Sequence, residues 1–350
     1  MDTFTHTAVV RQLADLFAVR DDLRTMMERS LERAAACNPD RVTNPVRSLT
    51  DLYGWIDRFL TAMPWEGIEA GAGNNGQGLF RRIDQATGYF YYLFGDLQFQ
   101  PAIAEWIRLY NKAWAEFLNS PASWNHEYYN LLKSDPLFEL HTGKYESPDN
   151  WHCWNDFFAR RLSGRYCGTT LDEEGNIVSP AEGVVSTWMH VGADNVLQVP
   201  AHVKTSTVVD VAGLLGDSPF RNRFAGGRFC HVTLDIYNYH HFHSPVSGRL
   251  VDVQTIDGCL SAGGNIIWDS VERRYRYEQS DNLGFQMLEK RIAIVINHGS
   301  GLIALVPVGV AQVGSIVLDK DTYIGAEVRK GQDLGCFLCG GSDVIILCST

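Results

Sequence analysis

The stretch RIAIVINHGSGLIALVPVGV, residues 291–310, decides the fold. Two apolar, β-branched runs are cut by Asn297, His298, Gly299 and Ser300. A membrane-spanning helix needs roughly 18 or more unbroken apolar residues, so the pattern reads as strands around a turn. The same texture continues on both sides, in IVSPAEGVVSTW from Ile177, VLQVPAHVKTSTVV from Val196, FCHVTLDIY from Phe229, RLVDVQTI from Arg249 and DVIILC from Asp343. Short runs of this kind, punctuated by Gly and Pro, predict a mostly antiparallel β region.

Upstream the period changes. Val9, Val10, Leu13, Leu16 and Phe17, and then Leu52, Ile56, Phe59, Leu60 and Met63, recur at three and four, which predicts helices up to about residue 140. Ser48 is the expected N-cap of the second group. Pro101 opens a helix whose stripe of Ile103, Trp106, Ile107, Tyr110, Trp114, Phe117 and Leu118 ends at Asn119-Ser120-Pro121. That stripe reads as core. The join YESPDNWHCWNDFFARRLSGRYCG, from Tyr145, is too aromatic for a floppy tether. The expectation is an α+β protein, with a helical domain over 1–150 and a β-rich, sandwich-like or barrel-like domain over 151–350.

Composition narrows the function. The chain has 350 residues, 45% hydrophobic and 20% charged, which suits packed domains and not disorder. Thirty Lys and Arg against 41 Asp and Glu leave a charge of −11, the wrong sign for a broad phosphate-binding surface, so nucleic acid is not an expected partner. The opening MDTFTHTAVVRQLADLF lacks the apolar core of a secretory signal, and eight cysteines in so long a chain are not a disulfide scaffold. These features predict a cytoplasmic protein with reduced thiols and no integral membrane association. The Gly/Asn-rich GIEAGAGNNGQG at 67–78 lacks the lysine of a phosphate-binding loop.

Three strings carry chemistry. In GCFLCGGSDVIILC, Gly340 and Gly341 precede Ser342. This is a hairpin turn, a CxxC pair from Cys336 and Cys339, or a reactive serine whose Oγ can reach the unshielded Gly341 carbonyl. In YNYHHFHSPVSGRL, strand alternation puts His241 and His243 on one face and His240 on the other. A single three-histidine metal site would need an irregular backbone, and acid–base work is the better use of one or two of them. In IVSPAEGVV, Glu182 is either a surface turn carboxylate or the group that orients an imidazole, a role for which Asp235 competes.

Taken in order, WNDFFARRL, IVSPAEG, VKTSTVVDVAGLLG, YHHFHSPVSG, RIAIVINHGSGLIALVPVGVAQVGSI and KGQDLGCFLCGGSDVIIL resemble the phosphatidylserine decarboxylase family of pyruvoyl enzymes. The resemblance implies self-cleavage between Gly341 and Ser342. Oγ attacks the preceding carbonyl, the ester eliminates, and the dehydroalanine hydrolyses to a pyruvoyl group with loss of ammonia. The chains 1–341 and 342–350 then stay associated, and no PLP or metal is needed. By position, His243 matches the histidine of the family's cleavage triad and His240 the histidine of the decarboxylation step. Glu182 stands where the family usually has Asp, and Gly340-Gly341-Ser342-Asp343 replaces the usual Leu-Gly-Ser-Thr. His241, Phe242 and Lys204 are candidate substrate contacts.

The helical region, with FQPAIAEWIRLYNKAWAEFLNSPASW and YYNLLKSDPLF, resembles that of soluble, L-tryptophan-type decarboxylases. With no apolar membrane-associating segment and an acidic net charge, the expected substrate is therefore a free, aromatic L-amino acid, and phosphatidylserine is the alternative. A zinc peptidase is disfavoured because its HxH normally follows the INHGSGL-like strand. An unprocessed binding relative, disabled by Glu182 and Asp343, is the non-enzymatic rival.

Overall fold

A computed structural model of the chain describes residues 6–41, 43–62, 89–90, 92–164, 176–198, 208–258, 264–271, 273–279, 288–309, 315–338 and 342–350. It divides into two compact units, Met1–Asn125 with Ser261–Ser280, and His126–Leu260 with Asp281–Thr350. The 67–78 loop, Lys204, Cys339, Gly340 and Gly341 lie outside the described residues.

Helices build the first unit. They are α1 (Ala8–Val19), α2 (Asp21–Cys37), α3 (Leu49–Phe59) and α4 (Pro101–Leu118). Ser48 caps α3 by accepting a hydrogen bond from the Asp51 amide, and Pro101 sits in the first turn of α4, where its missing N–H costs nothing. The apolar stripes face inward: Val10, Leu13, Leu52, Ile56, Ile103, Ile107 and Tyr110 are buried. Phe90, Phe94, Trp106 and Tyr110 stack into one aromatic column. The Trp106 indole nitrogen donates to the Val9 carbonyl at 2.9 Å, so this large ring is buried with its polar atom satisfied.

The second unit begins with α5 (His126–Ser134) and α6 (Trp154–Phe158), and α7 (Val211–Leu214) is inserted later. Across the chain the strands are β1 (Val184–His190), β2 (Val196–Gln198), β3 (Val208–Asp210), β4 (Arg228–Leu234), β5 (His241–His243), β6 (Gly248–Ile256) and β7 (Gly264–Asp269). They continue as β8 (Arg274–Gln279), β9 (Arg291–Asn297), β10 (Leu302–Gly309), β11 (Ser315–Leu318), β12 (Glu327–Val328), β13 (Asp333–Leu338) and β14 (Ser342–Cys348). Of these, the β7–β8 ladder falls in the first unit.

Seven strands form one antiparallel sheet in the order β1-β4-β14-β10-β9-β6-β12, and β11-β13-β5 form a second. The opening stretch supplies β9 and β10, whose burial is continuous from Arg291 to Ile296 and from Leu302 to Gly309. Strands buried on both faces show no polar alternation, which is why the sequence there is nearly all apolar. Val295, Ala304, Val306, Val308, Ile345 and Leu347 share a core with Leu214, Leu215, Phe224 and Phe229.

The C-terminal string is not a hairpin. β13 pairs with β5 and β11, whereas β14 pairs with β4 and β10, so the chain changes sheets between Leu338 and Ser342. β14 is an interior strand, paired with β4 on one side and β10 on the other.

Candidate active site

Ser342 is the first residue of β14, opposite Leu234 of β4 and Gly309 of β10, and is 1% exposed. His240 immediately precedes β5. Its Nδ1 lies 2.8 Å from the Ser342 Oγ, and its Nε2 faces the Ile236 carbonyl at 3.4 Å. A carbonyl only accepts, so Nε2 carries the ring proton and Nδ1 is left to accept from the serine hydroxyl. Burial drives the His240 pKa well below the ordinary value of 6.5, and the Arg160 cation adds to the effect. The serine therefore faces a neutral imidazole.

The other two histidines occupy the opposite side, as alternation predicts. His241 places Nδ1 at 2.9 Å from an Asp333 carboxylate oxygen and Nε2 at 2.9 Å from the Ala159 carbonyl. Burial opposes the charge of Asp333, but the hydrogen bond from His241, the charges of His241 and His243 and the Gly335 amide together outweigh it and lower that carboxyl's pKa. His243 donates from Nδ1 to the Gly331 carbonyl at 2.8 Å and accepts at Nε2 from the Tyr239 hydroxyl at 3.1 Å. The Tyr239 ring also stacks on His241 at 4.9 Å, tying the two together. Burial lowers the pKa of His243 too.

Glu182 does not contact a histidine among the described residues. It pairs with Lys144 at 2.7 Å and accepts from the Asn238 side chain at 3.4 Å. Lys144 also pairs with Glu139. Burial works against the Lys144 charge, yet the two carboxylates prevail and raise its pKa. Through Asn238, whose side-chain oxygen accepts from the Asp235 amide at 2.7 Å, Glu182 is linked to the turn that carries His240. Asp235 lies in that turn, and burial raises its pKa. Phe242 is wholly buried and meets Phe337 edge-on at 5.4 Å. Burial, then the nearby Asp333 charge, pushes the Cys336 thiol up to about 11, the reverse of an activated thiolate. No three or more His, Cys, Asp or Glu side chains are placed to hold a metal among the described residues.

Two features escape a motif reading. Arg160 and Phe158, from the WNDFFARRL string, both bear on the His240 turn. On the far face of β14, Asp343 accepts from His231 Nε2 at 3.1 Å, and His231 Nδ1 accepts from Ser186 at 2.7 Å. The available signals were a fixed charge inside an aromatic run, and a histidine and an aspartate each set in an apolar strand.

With this geometry in hand, comparison with known proteins is decisive for the family. The family model for phosphatidylserine decarboxylase matches residues 154–350. The chain belongs to the phosphatidylserine decarboxylase family. The matched region contains α6, the histidine turn and β14 together. Among similar proteins are phosphatidylserine decarboxylase proenzymes of Ruminiclostridium cellulolyticum (25% identical, over 60% of this chain and 64% of that protein) and Coxiella burnetii (28%, over 60% and 76%). Phosphatidylserine decarboxylase proenzyme 3 of Schizosaccharomyces pombe is 31% identical over 60% of this chain and 20% of that protein. The chain thus spans less than two thirds of the length of the first and last of these.

These names correct the substrate expectation. The absence of a membrane segment and a loose likeness in the helical region point to a free aromatic amino acid, whereas these similar proteins are phosphatidylserine decarboxylase proenzymes. Net charge and a missing apolar segment do not choose a substrate, since neither reports on the site. No helix among the described residues is long and apolar enough to cross a membrane.

The family's prosthetic group is a pyruvoyl made from a serine of the same chain, with no PLP. The residues present fit it. Ser342 is buried against a neutral imidazole, and the strand that carries it is paired along its whole length on both sides.

Proposed function

We propose that this protein is a self-processing decarboxylase of phosphatidylserine, cut between Gly341 and Ser342, with phosphatidylethanolamine and CO2 as products. The observation that carries the reading is the 2.8 Å contact between His240 Nδ1 and the buried Ser342 hydroxyl. A serine hydroxyl is a weak nucleophile at its free pKa and needs an adjacent base. His240 is neutral, has its other nitrogen committed to a carbonyl, and accepts the Oγ proton as Oγ attacks the preceding carbonyl. The proton then passes to the Ser342 nitrogen as the peptide C–N bond breaks.

A pyruvoyl ketone at position 342 supplies the electron sink that decarboxylation requires. His240, being the imidazole in reach of that position, is the proton carrier assigned to both stages. His243, whose ring nitrogens are occupied by Gly331 and Tyr239, and Glu182, held by Lys144, support the turn around it. In this assignment the two histidines separate by experiment.

The test is intact mass of the full chain under denaturing conditions, with and without a hydrazine reagent that traps ketones, followed by CO2 release from phosphatidylserine vesicles against free L-serine. Two chains split before Ser342, the shorter one forming a hydrazone, and CO2 from the lipid alone are the expected results. A chain that stays whole on long incubation overturns self-processing, and a processed chain inert toward the lipid overturns the substrate.

A further inference from the structure

The segment Phe158-Ala159-Arg160 touches the histidine turn at every residue. The Phe158 ring stacks on the His240 imidazole with centroids 3.9 Å apart and planes 20° from parallel. The Ala159 carbonyl meets His241 Nε2 at 2.9 Å. Arg160 Nη2 donates to the Tyr237 carbonyl at 2.6 Å and to the Asn238 carbonyl at 2.9 Å, both on the turn that delivers His240. The Arg160 side chain is fully buried, and no carboxylate stands within ion-pair distance of it among the described residues. Its guanidinium lies instead over the rings of Tyr145 at 4.4 Å, Phe157 at 5.0 Å and Phe138 at 5.9 Å. An arginine placed this way costs desolvation that its partners only partly return. A residue there solely to fill space would be apolar.

We infer that Arg160 is a positioning residue for self-cleavage: its guanidinium fork fixes the 237–238 backbone through Nη2, and its buried charge, with the Phe158 ring, holds His240 against Ser342 as a neutral base. The inference rests on the function proposed above. The planar guanidinium accounts for the orientation, since one Nη2 group, fixed in its plane, donates to two successive carbonyls. The charge adds to burial in setting the protonation state, because a cation in a low-dielectric interior opposes a second one nearby. Besides Arg160, the groups facing His240 are His241, which acts in the same sense, the backbone of Asp235 and Ile236, which acts oppositely, and the Ser342 hydroxyl of β14.

Two variants divide these roles: Arg160→Met removes charge and fork at similar volume, and Arg160→Lys keeps the charge alone. Cleavage of the full chain is followed by denaturing mass against pH. Misplacement by an ångström is worth about 100-fold in rate, and both variants are expected to slow on that order. Only Arg160→Met should move the acid limb of the profile to higher pH. In parallel, the His240 ring is titrated by NMR in the uncleavable Ser342→Ala full chain, where Arg160→Met raises its midpoint and Arg160→Lys does not.

Wild-type cleavage rates in both variants, equal slowing with an unmoved acid limb and an unmoved His240 midpoint, or failure of both to fold would overturn the inference, the last by making Arg160 purely structural. If the wild-type chain itself never cuts, the proposed function falls, while the Ser342→Ala titration still decides the part played by Arg160.

Discussion

At the scale of single residues, the site turns on which nitrogen of which histidine is free. His240 has one nitrogen given to a carbonyl and the other offered to Ser342, whereas His243 has both already engaged. His240→Ala should therefore slow self-cleavage by about 10²–10⁴-fold, the usual worth of a positioned general base. His243→Ala should cost less, read as the fraction of cut chain over time. Stability carries the same signature. Burial lowers the folded pKa of His240 and of His243 below the ordinary 6.5. Below pH 6.5 the unfolded chain takes up protons that the folded one refuses, so stability is intact above that pH and drains away as pH falls toward the folded values. Denaturant midpoints of the Ser342→Ala chain should fall from pH 7 to 5, and His240→Gln should flatten the fall. A midpoint that is level over that range would contradict the buried neutral rings.

Among the elements, β14 matters most, and its register has a polar lock. Successive side chains point to opposite faces, so Ser342 faces His240 while Asp343 meets His231 on the core side. A slip of one residue would exchange them and bury a carboxylate without its partner. Removing one member of a buried pair typically costs about 3–5 kcal/mol. His231→Ala and Asp343→Asn should each approach that loss in urea unfolding, and the pair His231→Leu with Asp343→Leu should recover most of it. Gly183 is a second such point, because a Cβ there would lie 2.4 Å from the Thr233 carbonyl. Gly183→Ala should push β1 away from β4 and lower the unfolding midpoint.

Over the whole molecule, the cut proposed beside Ser342 would have to leave the shape intact. The seven residues of β14 pair with β4 and with β10 across their full length, and Val344, Ile345 and Leu347 are buried. Backbone pairing on two sides and burial on both faces hold the short fragment without a covalent link. After processing, residues 342–350 should co-elute with residues 1–341 on native size exclusion and separate only in denaturant. Release of the fragment under native conditions would show that the pairing is too weak to keep the site assembled.

The sequence by itself determined the elements and their class: the period of three and four in α1, α3 and α4, the apolar runs of β9 and β10, and the motif order that marks the family. These are local properties, written in spacing and in residue type. It also separated His240 from His241 and His243, because alternation is local too. Which polar groups meet was decided by tertiary structure alone. Glu182 faces Lys144 and Asn238, Asp343 faces His231, and Arg160 reaches across to residues 237 and 238. Such pairings join segments far apart in the chain, and burial gives them their energy. Which distant groups meet cannot be read from a string of residues before the sheets that bring them together have formed.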